Sequence, residues 1–308
     1  MSLLTELLIN ATTGLLWGSV LGAASVGLTL IWGVMKVVNI AHGESILLGS
    51  YIVSVLLLFM GIDPLIGFAV AVASGLLLGF AIYWMNLHKI IGHVDVINLR
   101  IEMSTLLEMF AVSIILYNLY SFFTRSEPFG IGIWHLGPSS YVHIGYMSVQ
   151  VNHLTAAFFS LVATFILYQF ISRTSTGKAI RAVMQDSQAA ALVGIDPVRI
   201  KMLTTVISIG FTAYSGFLVI LYESAVVPSI AYKYAPLAFT IVVLGGLGSI
   251  IGTYVAGLII GLSYGISKVV FGILVSKNAS DPLALSTAFI ILVLTLLLKP
   301  EGLFARKR

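Results

Sequence analysis

The sequence predicts an all-α fold: a polytopic transmembrane helical bundle of about eight spans, with broken or re-entrant helices. Composition is the first observation behind this. Hydrophobic residues make up 59% of the 308-residue chain and charged residues only 9%, against about 25% charged in a soluble domain. Such a chain cannot cover itself with a water-compatible surface. The second observation is that the apolar residues fall in runs near the roughly 20 residues an α-helix needs to cross the hydrocarbon core. Helices satisfy their backbone groups within each run, which these lengths favour over a barrel. The formal net charge of +4 is spread over short loops and does not suggest a nucleic-acid partner. The chain contains no cysteine, so disulfides, thiolate metal sites and cysteine nucleophiles are excluded. Its start lacks the basic region of a signal peptide, and the first apolar run is expected to be kept as a span.

The apolar segments cover 13–32, 45–60, 64–84, 104–123, 152–172, 200–222, 237–272 and 282–299. Lys and Arg orient them. Arg173, Lys178, Arg181, Arg199 and Lys201 flank the central loop, and Lys299, Arg306, Lys307 and Arg308 follow the last span. Both regions are therefore expected in the cytoplasm. Three single spans between them would leave the C-terminus outside. The 237–272 run must then be two pieces, split at Leu244-Gly245-Gly246-Leu247-Gly248-Ser249. Whether its first arm crosses fully from near Val227 or only dips in stays open. Working backwards, 124–151 becomes an extracytoplasmic loop, 86–103 is cytoplasmic and the N-terminus lies outside. The chain 1–308 reads as one transmembrane domain lying in a cell membrane, with lipid around it. Gly18, Gly22, Ala23, Ala24 and Gly27, and Gly252, Ala256 and Gly257, read as sites of close helix packing.

The segment 173–201 is the long polar stretch that still reads as ordered. Ser175 or Thr176 can cap a helix running to Leu192, Gly194 suits a left-handed C-cap, and Asp196-Pro197 can start the next helix. On this helix Lys178, Arg181, Gln185 and Gln188 form one stripe. Ala179, Ala182, Asp186, Ala189 and Ala190 form another, mostly small, which would let a second surface approach closely. Gly177-Lys178 invites a nucleotide-binding reading, but Ser172 stands where a P-loop needs glycine and Ala179 where it needs Ser or Thr. The chain shows no ATP site of its own and no Gly-x-Ser-x-Gly nucleophile elbow, and the reading is of a non-enzyme.

Two polar or glycine-rich breaks interrupt apolar helices. Asn39, His42, Gly43 and Glu44 lie in the first, and Gly245, Gly246, Gly248 and Ser249 in the second. A weak internal echo, Ser45–Tyr51 against Ser249–Tyr254, sets the breaks in corresponding positions, as around transport pathways. An interfacial loop in which His42 and Glu44 meet water is the competing reading. No second histidine is spaced to make a metal pair with His42.

Four stretches resemble the branched-chain amino acid ABC transporter permease family. They are Gly27–Gly33 leading to Val38–Glu44, Gly177–Ala182 with Asp186, Ala189-Ala190 and Gly194-Ile195, Val243–Gly252, and Lys299–Phe304. Length and compact N-terminus resemble the LivH-type subunit more than its LivM-type partner. The resemblance implies an ABC importer permease fold working with a second permease subunit (LivM-like), two ATP-binding subunits and an extracytoplasmic solute-binding protein. It implies import of leucine, isoleucine and valine, with ATP and Mg on the partner subunits and no cofactor on this chain. It also implies that the helix 176–192, carrying Gly177, Lys178, Ala179, Arg181, Ala182, Asp186, Ala189, Ala190 and Gly194, couples to the ATPase. The small face would nest in an ATPase groove while Lys178 and Arg181 pair with acidic groups. Permeases for urea, short amides and other amino acids share these motifs. A stand-alone proton-coupled transporter using Glu44, His42 or Glu108, and a structural membrane subunit, are the rival classes.

Overall fold

The computed structural model describes residues 3–91, 99–132, 134, 136, 139–144 and 147–304. The basic C-terminal residues Arg306, Lys307 and Arg308 lie outside them. The chain forms α1 (Leu3–Met35), α2 (His42–Met60) and α3 (Pro64–Ile82), the last extended by a π turn into α4 (His88–Ile91). After α5 (Leu99–Thr124) come β1 (Phe129–Gly130), β2 (Tyr141–Ile144) and β3 (Met147–Gln150), then α6 (Val151–Arg173), α7 (Ser175–Gln185) and α8 (Ser187–Leu192). The remainder is α9 (Pro197–Glu223), β4 (Ala225–Val226), α10 (Ala231–Gly245), α11 (Ile250–Leu274) and α12 (Ser280–Leu298). The strands are short: β1 pairs antiparallel with β4, and β2 with β3. Among the described residues nine helical segments are long and apolar enough to cross a bilayer. The eight apolar runs become nine because 237–272 divides at the glycines, as the charge parity required.

α1 is ten residues longer at its start than hydropathy suggests. Its polar residues are absorbed by the helix itself: Asn10 Nδ2 donates to the Glu6 carbonyl at 2.9 Å, and Thr12 Oγ1 to the Leu8 carbonyl at 2.8 Å. A side chain that bonds back one turn hides its polarity from the bilayer.

α1 and α9 are the most buried spans, while α5 and α12 are among the least. α1 packs along α11 through facing glycines: Gly14, Gly18 and Gly22 on one, Gly257, Gly261 and Gly265 on the other. A Cβ at Gly18 would stand 2.6 Å from the Gly257 carbonyl oxygen, and one at Gly261 would collide with Gly14 O and Gly18 Cα. Apolar burial does not drive helices together in lipid, so close backbone approach supplies the dispersion contact instead. The packing role read for Gly18, Gly22 and Gly257 holds, and it extends to Gly14, Gly261 and Gly265.

The polar segment after α6 departs from the expected single helix. Thr174, not Ser175 or Thr176, caps α7, accepting from the Gly177 N–H at 3.0 Å. The helix then breaks at Asp186, whose extended backbone (φ −154°) starts α8 and whose Oδ1 accepts from the N–H groups of Gln188 and Ala189, both at 2.9 Å. Asp competes with the helical backbone for those donors, which is why it favours caps over interiors. Gly194 has φ +86° and Asp196-Pro197 starts α9, both as expected. Asp186→Ala should cost about 1 kcal/mol of local stability. Amide exchange over 187–192 should then speed up roughly fivefold with α7 unchanged, and unchanged exchange would mean the cap contributes nothing.

Candidate functional site

The first break is made by a left-handed residue. α1 ends, Lys36 takes φ +53°, and residues 36–41 lead back against α1. His42 then opens α2 with its Nε2–H donated to the Ala24 carbonyl at 2.9 Å. Asn39, His42 and Glu44 are at most 2% exposed, so the interfacial-loop reading is corrected: these groups sit inside the protein. Glu44 Oε1 accepts from Ser113 Oγ of α5 at 2.7 Å. Glu44 Oε2, Asn39 Oδ1 and His42 Nδ1 have no hydrogen-bond partner. Gly43 lets the first turn of α2 touch the first turn of α10, since a Cβ there would lie 2.6 Å from the Ala231 carbonyl oxygen.

A cavity of about 540 Å³ opens beside Glu44, between α2, α5, α10 and α12. Its walls are mostly apolar, including Ile40, Phe110, Phe239, Phe289 and Leu292. With the 3-10 turn Pro228–Ile230 that leads directly into it, α10 forms the 18-residue span Pro228–Gly245.

The second break has a different character. Gly246 and Gly248 have φ of +88° and +81°. The Gly248 N–H donates to Thr29 Oγ1 at 3.2 Å, and Ser249 Oγ caps α11 by accepting from the Gly252 N–H at 3.1 Å. The tail closes over it: the Leu303 N–H donates to the Leu244 carbonyl at 2.8 Å, and a Cβ at Gly302 would meet Gly246 Cα at 2.8 Å. Gly245 lies so close to α11 that a Cβ would stand 2.6 Å from Thr253 Cα. These are the needs of a tight, latched turn. Gly245, Gly246, Gly248 and Ser249 do not line the cavity beside Glu44. Both breaks rest on α1, at Ala24 and at Thr29, but among the described residues no hydrogen bond or ion pair joins them. The two anchor points lie five residues apart on that helix, and Ile40 of the first break and Val243, just before the second, line the same cavity.

On α7 and α8 the small stripe does not form one outward face, because the Asp186 break resets the register. Ala179 and Ala182 pack against the inner hydrophobic cluster, Ala190 is buried and Ala189 is exposed. Gly177 fits where a Cβ would meet the Phe170 carbonyl at 2.5 Å. Arg181 donates from Nη2 to the Ser172 carbonyl at 3.1 Å and buries its Nε, which ties it to its own chain. Lys178, by contrast, is exposed. The outward tip is the end of α8 and the turn after it: Leu192 is 89% exposed and Val193 76%, with open space around Gly194. Met184 packs inward, its Cε 2.9 Å from where a Cβ on Gly33 would be and its Sδ 3.0 Å from one on Gly248.

Sequence reasoning missed a charged cluster at the far end of α9. Glu223 Oε1 accepts from Lys233 Nζ at 2.8 Å and from Tyr234 Oη at 2.9 Å, and Lys233 lies over the Trp17 ring. Nearby, Asp281 pairs with Lys268 at 2.8 Å and accepts from Tyr264 Oη at 2.7 Å. In sequence neither lysine belongs to the basic groups that orient the spans. The signal available was Glu223 and Lys233 ten residues apart on either side of a Ser-Ala-Val-Val-Pro turn.

Among the described residues, nine helices long and apolar enough to cross a membrane, with a carboxylate and an imidazole buried at an interrupted span, define a multi-pass helical membrane protein. The chain belongs to the family described as the branched-chain amino acid transport system permease component, whose model matches residues 10–298. It is 29% identical to the high-affinity branched-chain amino acid transport system permease protein LivH of Salmonella typhimurium, over 95% of this chain and 94% of that one. It is 30% identical to the permease protein BraD of Pseudomonas aeruginosa, again over 95% and 94%. The LivM permease of Salmonella typhimurium matches at 27% identity over 51% of this chain and 34% of its own. No solved structure gives a significant match.

Proposed function

We propose that this chain is one permease subunit of an ATP-driven importer of leucine, isoleucine and valine. The observation that carries the reading is similarity over nearly the whole chain to LivH and BraD, permeases named for that transport. The buried polar break beside a cavity is what a chain that moves a zwitterion needs, since irregular backbone within a membrane is tolerated where protein or a cavity surrounds it. The partners are a second, LivM-like permease subunit, two ATP-binding subunits that carry ATP and Mg, and an extracytoplasmic solute-binding protein that delivers substrate. This chain binds no cofactor. The segment 173–201 faces the cytoplasm as the coupling loop, and Leu192, Val193 and exposed Lys178 are its contacts with the ATPase. The loop 124–151 faces outside, with the N-terminus outside and the C-terminus inside an inner or plasma membrane.

Reconstitution with the partner subunits tests the function. Leucine uptake into proteoliposomes should require both ATP and the binding protein. Uptake by this chain alone, driven by a pH gradient, would overturn the reading. Orientation is tested separately. Gln188→Cys and Ser139→Cys, both exposed, should react differently with an impermeant thiol reagent in intact cells: only the second is modified. The neighbouring Ser187 is unsuited as a probe because its hydroxyl is buried. The opposite labelling pattern would invert the topology.

A further inference from the structure

Each oxygen of a buried carboxylate needs a hydrogen bond or a cation, because an unpaired buried charge is far costlier than a paired one. Glu44 is 2% exposed and its Oε1 is satisfied by Ser113, yet its Oε2 has no partner. The carboxylate lines the cavity of about 540 Å³, and none of the residues around that cavity is Lys, Arg or His. A volume of this size is in the range of small-molecule sites, which pair apolar walls with a few placed polar groups.

α10 contributes a second acceptor. Pro236 lies inside the helix and lines the cavity together with Tyr232. Proline has no N–H, so the Tyr232 carbonyl, one turn earlier, loses its helical donor. The Ser113 and Thr240 hydroxyls on the cavity wall already donate within the protein, to Glu44 and to the Pro236 carbonyl at 2.9 Å. The Glu44 carboxylate thus lacks a donor on Oε2, beside a cavity whose remaining wall is mostly hydrocarbon and aromatic ring.

We propose that this cavity binds a primary ammonium group carried on a short aliphatic body, the ammonium on Glu44 Oε2 and the aliphatic part among Phe110, Phe239, Phe289 and Leu292. That the natural ligand is an imported branched-chain amino acid rests on the function proposed above; the preference for an ammonium over a carboxylate does not. Glu44 is then a binding residue, and the permease selects the amino end of its substrate. An ammonium supplies both positive charge and several donors, which a neutral or anionic end group cannot.

Binding is to be measured on the full chain in lipid nanodiscs, with three probes sharing one branched skeleton: leucine, isopentylamine and isocaproate. Leucine and isopentylamine should bind and isocaproate should not. Glu44→Gln should weaken both by roughly thirtyfold or more, as expected when one side of a desolvated charge pair is removed, and Glu44→Asp should recover part of the loss. Leu292→Trp, which narrows the cavity without touching the carboxylate, should weaken isopentylamine more than methylamine; this keeps the test open if the Glu44 variants do not fold. Equal binding of isocaproate, or unchanged isopentylamine binding in Glu44→Gln, would overturn the site and leave Oε2 as the holder of a proton. Uptake separates the two readings. ATP-driven leucine import that survives Glu44→Gln removes the site and keeps the importer, whereas a wild-type assembly that imports no leucine but binds isopentylamine does the reverse.

Discussion

Gly261→Leu should abolish accumulation of the folded protein in the membrane. The Cβ alone would collide with the Gly14 carbonyl oxygen and the Gly18 Cα, which are backbone atoms of another helix and cannot rotate away. Ordinary overpacking costs about 1–3 kcal/mol because neighbouring side chains shift. Here α1 and α11 must move apart along a seam of facing glycines, and the loss approaches the ~5–15 kcal/mol that holds a whole domain folded. Gly272→Leu on the same helix is the control, because a Cβ there meets nothing closer than Ser280 Cβ at 3.9 Å. The assay is membrane yield and monodisperse elution in detergent. Wild-type yield of Gly261→Leu would show that the seam can open at little cost.

Leu192→Asp combined with Val193→Asp should leave the permease folded while the ATP-binding subunits fail to co-purify. Both side chains project from the end of α8, 89% and 76% exposed, so little of the chain's own packing is lost. Two apolar residues at a protruding tip are the kind of anchor whose removal weakens an interface by about 2 kcal/mol or more, roughly thirtyfold. Ala182→Trp, the change suggested by the small stripe, is the wrong probe. Ala182 packs on the inner cluster, and a tryptophan there would overfill the permease itself. Lys178→Glu should act more mildly, making assembly sensitive to salt. Full association of the doubly charged tip at wild-type strength would remove Leu192 and Val193 from the contact.

What could be read in the sequence was whatever is local. The division at Gly245–Ser249 was legible because glycines with positive φ interrupt an apolar run too long for one span. The Gly194 turn and the Asp196-Pro197 start were legible because each residue type has few other uses there. The break at Asp186 was not, since Asp in a run of strong helix formers reads equally as a solvated helical residue. Glu44 was picked out as a polar group near apolar spans. Its burial could not be foreseen, because the partner Ser113 lies 69 residues away in a helix that nothing in the sequence pairs with α2. The charged cluster at the far end of α9 was hidden for the same reason: Trp17, Glu223, Lys233, Lys268 and Asp281 come from five separate elements. The second glycine break was legible, but the tail that latches it was not, because the Leu303 N–H reaches the Leu244 carbonyl through backbone atoms.

The glycine seam also bears on how the protein is made. α1 ends at residue 35 and α11 at residue 274, so nearly the entire chain must be synthesised before the first helix meets its principal neighbour. At the usual ~5–20 residues per second, that interval lasts roughly ten seconds to most of a minute. Throughout it α1 carries a flat strip of bare backbone into the bilayer, open to any other helix that presents small residues. Nascent chains on neighbouring ribosomes carry the same strip. The longer that interval, the longer the strip stays open to wrong pairing between copies.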